Sequence, residues 1–130
     1  MSRKLLFLLL LAFWPSYPQD TAPKLTTYNC ANGRLWKGMT LGEKLSFLRG
    51  LNEGISESAG PLDIFFVSSE RPSERVGALD HVFAEPENIL IPIRSALRWH
   101  VKKLKGASQS EVDGDLSALR EWALAAPENK

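Results

Sequence analysis

The chain has 130 residues, with 16 Lys and Arg against 15 Asp and Glu, and a single cysteine. A formal net charge of +1 provides no global field to recruit nucleic acid or an anionic bilayer. One cysteine excludes an internal disulfide, so Cys30 is buried as a small hydrophobe, free, or paired with another chain.

The N-terminus reads as an export signal. Met1-Ser-Arg-Lys is a short basic start, Leu5 to Trp14 is an unbroken apolar run, and Trp14-Pro-Ser-Tyr-Pro-Gln stops it. The charge would hold the cytoplasmic end while the apolar segment enters the membrane. The run falls short of the about 20 apolar residues a spanning helix needs. We expect a leader over 1–19, cut between Ser16 and Ala22, and a helical domain over 24–126. The expected location is periplasmic or secreted, with membrane contact only through the leader. Without the leader about 110 residues remain, enough for one domain and too few for two.

Residues 20–35 read as irregular, with Asn32-Gly33 as a turn signal. A first long helix is expected from Leu41 to about Ser58. Thr40 is placed to cap it, and Glu43 stands three residues on to complete a capping box. Apolar residues at 41, 45, 48, 51 and 55 follow at helical spacing, and Gly60-Pro61 should end the helix. The run from Leu62 to Val67 has the composition of a buried strand but no strong partner strand. It is therefore read as a short extended or single-turn segment.

A second helix is expected from about Ser73 to Ala84, with Val76, Leu79, Val82 and Phe83 on one side and Pro86 closing it. A third should run from about Ile91 to Lys105, with Pro92 as an early helical residue and Gly106 as its stop. Its apolar positions are 93, 97, 101 and 104, and Lys102, Lys103 and Lys105 suit the negative end of the dipole. A fourth is expected from about Glu111 to Ala125 on the stripe Val112, Leu116, Leu119 and Ala123. The expected fold is all-α: one small domain of about four helices, an irregular N-terminal segment and one short extended segment.

Candidate chemistry is sparse. His81 and Glu85 stand four apart beside Asp80, but a metal site needs three or four convergent ligands, so a surface His with a neighbouring acid explains them. Glu111-Val-Asp-Gly-Asp115 hints at a calcium loop, yet aligning Gly114 with the loop glycine puts Gln109 and Arg120 where acids are required. Arg94, Arg98 and Lys102 recur every four residues near Trp99, a row able to clamp a phosphate or an acidic partner helix or simply to face solvent. Gly50 and Gly54 lie four apart on the first long helix, where each costs about 1 kcal/mol in propensity. That suggests a close approach by another backbone, or a cleft with Glu53, Asp80 and Asn88 as its polar groups. No nucleophile elbow, phosphate loop or dinucleotide fingerprint is present. No cofactor, metal or nucleic acid is expected.

Two blocks carry a family resemblance. Asn32-Gly-Arg-Leu-Trp36 with Lys44, Phe47, Gly50 and Gly54 forms the first. Leu79-Asp80, Phe83, Pro86 and Asn88, followed by Ile91-Pro92-Ile93 and Ala96-Leu97, forms the second. Together they resemble small exported bacterial proteins of uncharacterised function. A slighter likeness is to periplasmic immunity proteins of type VI secretion. The resemblance implies an α-helical domain and supplies no catalytic residues. The expected role is a non-enzymatic exported protein that binds another exported or envelope protein, as an inhibitor or immunity-like factor. The alternative is a small-ligand binder or minor hydrolase using a cleft near Gly50 and Gly54. Trp36, Gly50, Glu53, Gly54, Asp80 and Asn88 are the candidate binding residues.

Overall fold

The computed structural model describes residues 22–57 and 65–130. Two short strands, β1 (Thr26–Thr27) and β2 (Cys30–Ala31), precede five helices. These are α1 (Gly33–Gly38), α2 (Leu41–Glu57), α3 (Pro72–Ala84), α4 (Ile93–Leu104) and α5 (Gln109–Leu124). Single 3-10 turns at Pro86–Asn88 and Pro127–Asn129 complete the described residues. The expected leader, the expected Gly60-Pro61 stop and the start of the expected extended segment lie outside them. Its described end, residues 65–67, is turn and coil rather than strand.

The helix limits follow local chemistry. The Thr40 backbone N–H donates to Glu43 Oε2 at 2.7 Å and the Glu43 N–H donates to Thr40 Oγ1 at 3.3 Å, closing the capping box. Pro92 lies outside α4 as its cap rather than inside it, because its carbonyl accepts from the Ser95 and Ala96 amides at 3.0 Å. Gly106, at φ +91, ends that helix in a conformation other residues resist. Ser108 Oγ accepts from the Glu111 amide at 3.3 Å, which starts α5 two residues before the first acid.

The N-terminal stretch is more ordered than its composition suggests. Tyr28 and Asn29 both have positive φ, 49° and 59°, and form the two-residue turn between β1 and β2. Asn32 then does three jobs. Its Oδ1 accepts the Arg34 amide at 3.0 Å to cap α1, and its Nδ2 donates to Thr27 Oγ1 at 3.2 Å and to the Lys24 carbonyl at 3.3 Å. It also bridges to Pro92, tying the hairpin to the entrance of α4. Gly33 follows because a Cβ there would sit 2.3 Å from the Phe83 ring.

Trp36, Leu79, Phe83, Ile91, Ile93 and Leu97 form the centre of the core. The Trp36 ring meets Phe47 edge-on at 6.5 Å and Phe83 at 6.4 Å, joining α1, α2 and α3. All four apolar residues expected inside α3 are buried. The stripe of α4 is shorter than expected: Ile93, Leu97 and Val101 are buried, but Leu104 is 49% exposed.

Candidate functional site

The residues singled out from sequence do not converge on one cleft. Trp36 is fully buried, and its Nε1–H donates to Asp80 Oδ1 at 2.8 Å. Lys44 Nζ donates to the same oxygen at 2.6 Å and lies 5.3 Å from the centre of the indole ring. Asp80 is thus a satisfied bracket joining α1, α2 and α3. Asn88 is buried too; its Nδ2 donates to the Val82 carbonyl at 2.7 Å and its Oδ1 accepts from Arg120 Nε at 2.8 Å. It secures the end of α3 and ties it to α5.

Glu53, Gly50 and Gly54 are exposed on α2, and a Cβ at either glycine would meet no atom within 4 Å. Among the described residues, then, nothing makes the expected close backbone approach to these glycines. Glu53 lies nine residues beyond Lys44, which at 3.6 residues per turn places it on the opposite side of the helix and about 13 Å along it. A shared cleft of Glu53, Asp80 and Asn88 does not form.

A second polar cluster is internal. Glu70 Oε1 lies 2.5 Å from His100 Nε2, and Glu70 Oε2 accepts from Arg75 Nε at 3.1 Å. Arg75 Nη2 also reaches the Val67 carbonyl at 3.3 Å. These largely buried groups occupy one another and pin residues 65–71 onto α4. His81 on α3 and Glu85, the residue just past its end, are exposed. Among the described residues no group of three His, Cys, Asp or Glu could hold a metal ion, and no helix is long and apolar enough to cross a membrane.

Among the described residues, one surface groove runs between α4 and α5, which lie antiparallel. Trp99 Nε1–H donates to the Val112 carbonyl at 2.9 Å, and Lys102 reaches Asp115 at 2.5 Å and Glu111 at 2.7 Å. Toward the other end the helices present a groove of about 480 Å³. One wall is Ser95, Arg98, Trp99 and Lys102; the other is Asp115, Ala118, Leu119 and Trp122. Each wall is an i, i+3, i+4, i+7 stripe, the set of positions that shares one helix face. A smaller hollow of about 270 Å³ continues it past Arg94 to Cys30 and Phe65. Cys30 is a half-buried free thiol.

Trp122 is 43% exposed yet firmly held. The Tyr28 ring stacks on it at 4.6 Å, and the Tyr28 hydroxyl donates to its carbonyl at 3.1 Å. The turn that carries Tyr28 is itself fixed to the C-terminus, where the Asn29 amide donates to Glu128 Oε1 at 2.8 Å. Hydrogen bonds to Asp115 and then Glu111 raise the pKa of Lys102, so that end of the groove carries a compensated charge. At the other end Arg98 is exposed and makes no ion pair among the described residues, while Arg94 lies 5.3 Å from the Phe65 ring centre.

The basic row was visible in the sequence; Trp122 and Ser95 were not singled out. Two signals could have found them. Trp122 is three and four residues from Leu119 and Ala118 on α5, and no Asp or Glu occurs anywhere from Asn88 to Ser110. In comparisons with known proteins, the chain matches no family model, no curated protein and no solved structure.

Proposed function

We propose that this chain is an exported, non-enzymatic helical protein that binds another protein, as an inhibitor or immunity-like factor, and that the groove between α4 and α5 is its binding face. One observation carries the reading: a half-exposed tryptophan, braced by a stacked tyrosine, stands beside an uncommitted arginine in a formed groove. Tryptophan and arginine are the residues most enriched where interfaces concentrate their energy. A side chain already held in place loses little freedom when a partner docks. The non-enzymatic part is supported by how the reactive groups are used. Glu70, Arg75 and His100 hold a loop, and Asp80 and Asn88 hold helices.

The test begins with the mature N-terminus and cell fraction, where a cut between Ser16 and Ala22 and recovery outside the cytoplasm are expected. A photo-crosslinking residue at Trp122 should then capture a discrete partner in cells, whereas the same residue at exposed Glu53 should not. Cytoplasmic recovery of uncut chain would remove the export reading. Identical capture at both positions, or at neither, would remove the binding face.

A further inference from the structure

We propose that the occupant of the α4–α5 groove is an amphipathic segment of a partner protein with its carboxylates gathered at one end, toward Arg94 and Arg98, and an apolar side chain seated between Trp99 and Trp122. This rests on the groove being the binding face and adds the chemistry of what fills it.

The charge distribution carries the argument. The chain as a whole is nearly balanced, yet α4 holds Arg94, Arg98, Lys102 and Lys103 with no acid, and Lys105 follows immediately. These cations are not equivalent. Lys102 is neutralised by Asp115 and Glu111, and Lys103 sits 5.6 Å from the Trp99 ring centre. Arg94 and Arg98 remain at the far end, one turn apart, with Ser95 between them on the groove side. The groove therefore has a cationic end and a compensated end. A complementary partner carries acids toward the first and none toward the second, where Asp115 would repel them.

The spacing fits a helical or extended protein segment. Arg94 to Arg98 is about 6 Å along the helix axis, matching carboxylates four residues apart on a facing helix. Arg94 to Lys102 spans about 12 Å, or two turns. Guanidinium forks pair with carboxylates in two parallel hydrogen bonds and desolvate more easily than ammonium groups. Between the ends, Trp99, Leu119 and Trp122 offer an apolar slot set between two helices rather than a flat face. A groove of this shape can seat apolar side chains of a docked segment, whereas a bilayer or a polyanion would have to lie across Asp115 and Glu111 as well.

The test uses a displayed library of random 12-residue peptides, selected against the exported form of the protein and against Arg98→Glu. Circular dichroism checks that the variant keeps its helices, and Arg98→Gln serves if it does not. Peptides selected by the parent protein should be enriched in Asp and Glu at one end and in a large apolar residue near the middle; the variant should lose the acidic bias. The best peptide, followed by fluorescence anisotropy, should bind at least tenfold more weakly to Arg98→Gln, and more weakly to the parent when its acids become Gln or when salt is raised. Unchanged affinity for Glu53→Gln is the control. A selected pool without acidic bias, or binding indifferent to Arg98, would overturn the proposal. So would tighter binding to phosphatidylglycerol vesicles than to any peptide, or dimers in sedimentation that vanish in Arg98→Glu. A partner crosslinked at Trp122 that ignores Arg98→Glu would overturn the acidic chemistry while leaving the face intact; no crosslink would remove both.

Discussion

Replacing Gly33 by alanine tests the junction on which the fold turns. The added Cβ would sit 2.3 and 2.7 Å from two Phe83 ring carbons and 2.9 Å from the Ile89 carbonyl oxygen. Carbon contacts are comfortable at about 3.5–4.0 Å, so relief needs a shift of more than about 1 Å. The ring cannot supply it easily, being 1% exposed and packed on Trp36. The other obstacle is backbone. Overpacking of this kind costs about 1–3 kcal/mol, and two obstacles place this site at the upper end. Alanine returns up to about 1 kcal/mol in helix propensity. The expected net loss is about 2–3 kcal/mol, which for a domain near 100 residues lowers Tm by about 10–20 °C. Urea and thermal unfolding followed by circular dichroism would read it directly. A variant within about 0.5 kcal/mol of the parent would show that α1 does not pack on Phe83 as described.

The other substitutions separate structural from functional roles. Gly50→Ala and Gly54→Ala, in open space on α2, should each stabilise by up to about 1 kcal/mol; a loss measured by urea midpoint would mean a hidden neighbour. Asn88→Ala should cost about 2–3 kcal/mol by leaving the Val82 carbonyl and the Arg120 guanidinium short of partners. It should leave peptide binding per folded molecule unchanged, and reduced affinity at full folding would return Asn88 to the site. Acid should weaken the fold at the start of α2 and at the C-terminal turn. The Thr40 amide holds the Glu43 carboxyl below the usual range, and backbone N–H groups of Glu128 itself and of Asn29 do the same for Glu128. A depressed carboxylate contributes stability above its unfolded pKa and loses it as pH falls through the folded value. Urea midpoints should hold from neutrality to about pH 5 and then drop. Glu43→Gln should make the acid limb shallower, and an equally steep limb would count against the capping box.

Much of the helical architecture was legible because local signals agreed with one another. The Thr40–Glu43 box, the four buried residues of α3 and Gly106 all lie where spacing and turn chemistry put them. What was hidden depends on distant partners. Asn32-Gly33 carries a turn signature, but Asn32 became a cap and hub through Thr27 and Pro92, and Gly33 is small because Phe83 lies against it. Gly50 and Gly54 misled for the opposite reason: propensity alone cannot tell a tight contact from open space. At the groove, the arginine row was readable from its period of four. Trp122 was not, since the tyrosine that braces it is 94 residues away in sequence.

The most direct measurement of the central claim is a charge-swap cycle at Arg98. Arg98→Glu, the matching Glu→Lys change in the bound segment, and both together would be compared by binding isotherms. Opposed charges in contact predict that each single change weakens binding and that the double change restores part of it, with a coupling energy of about 1 kcal/mol or more. Additive losses with no recovery would contradict an acidic segment lying against the arginine end of the groove.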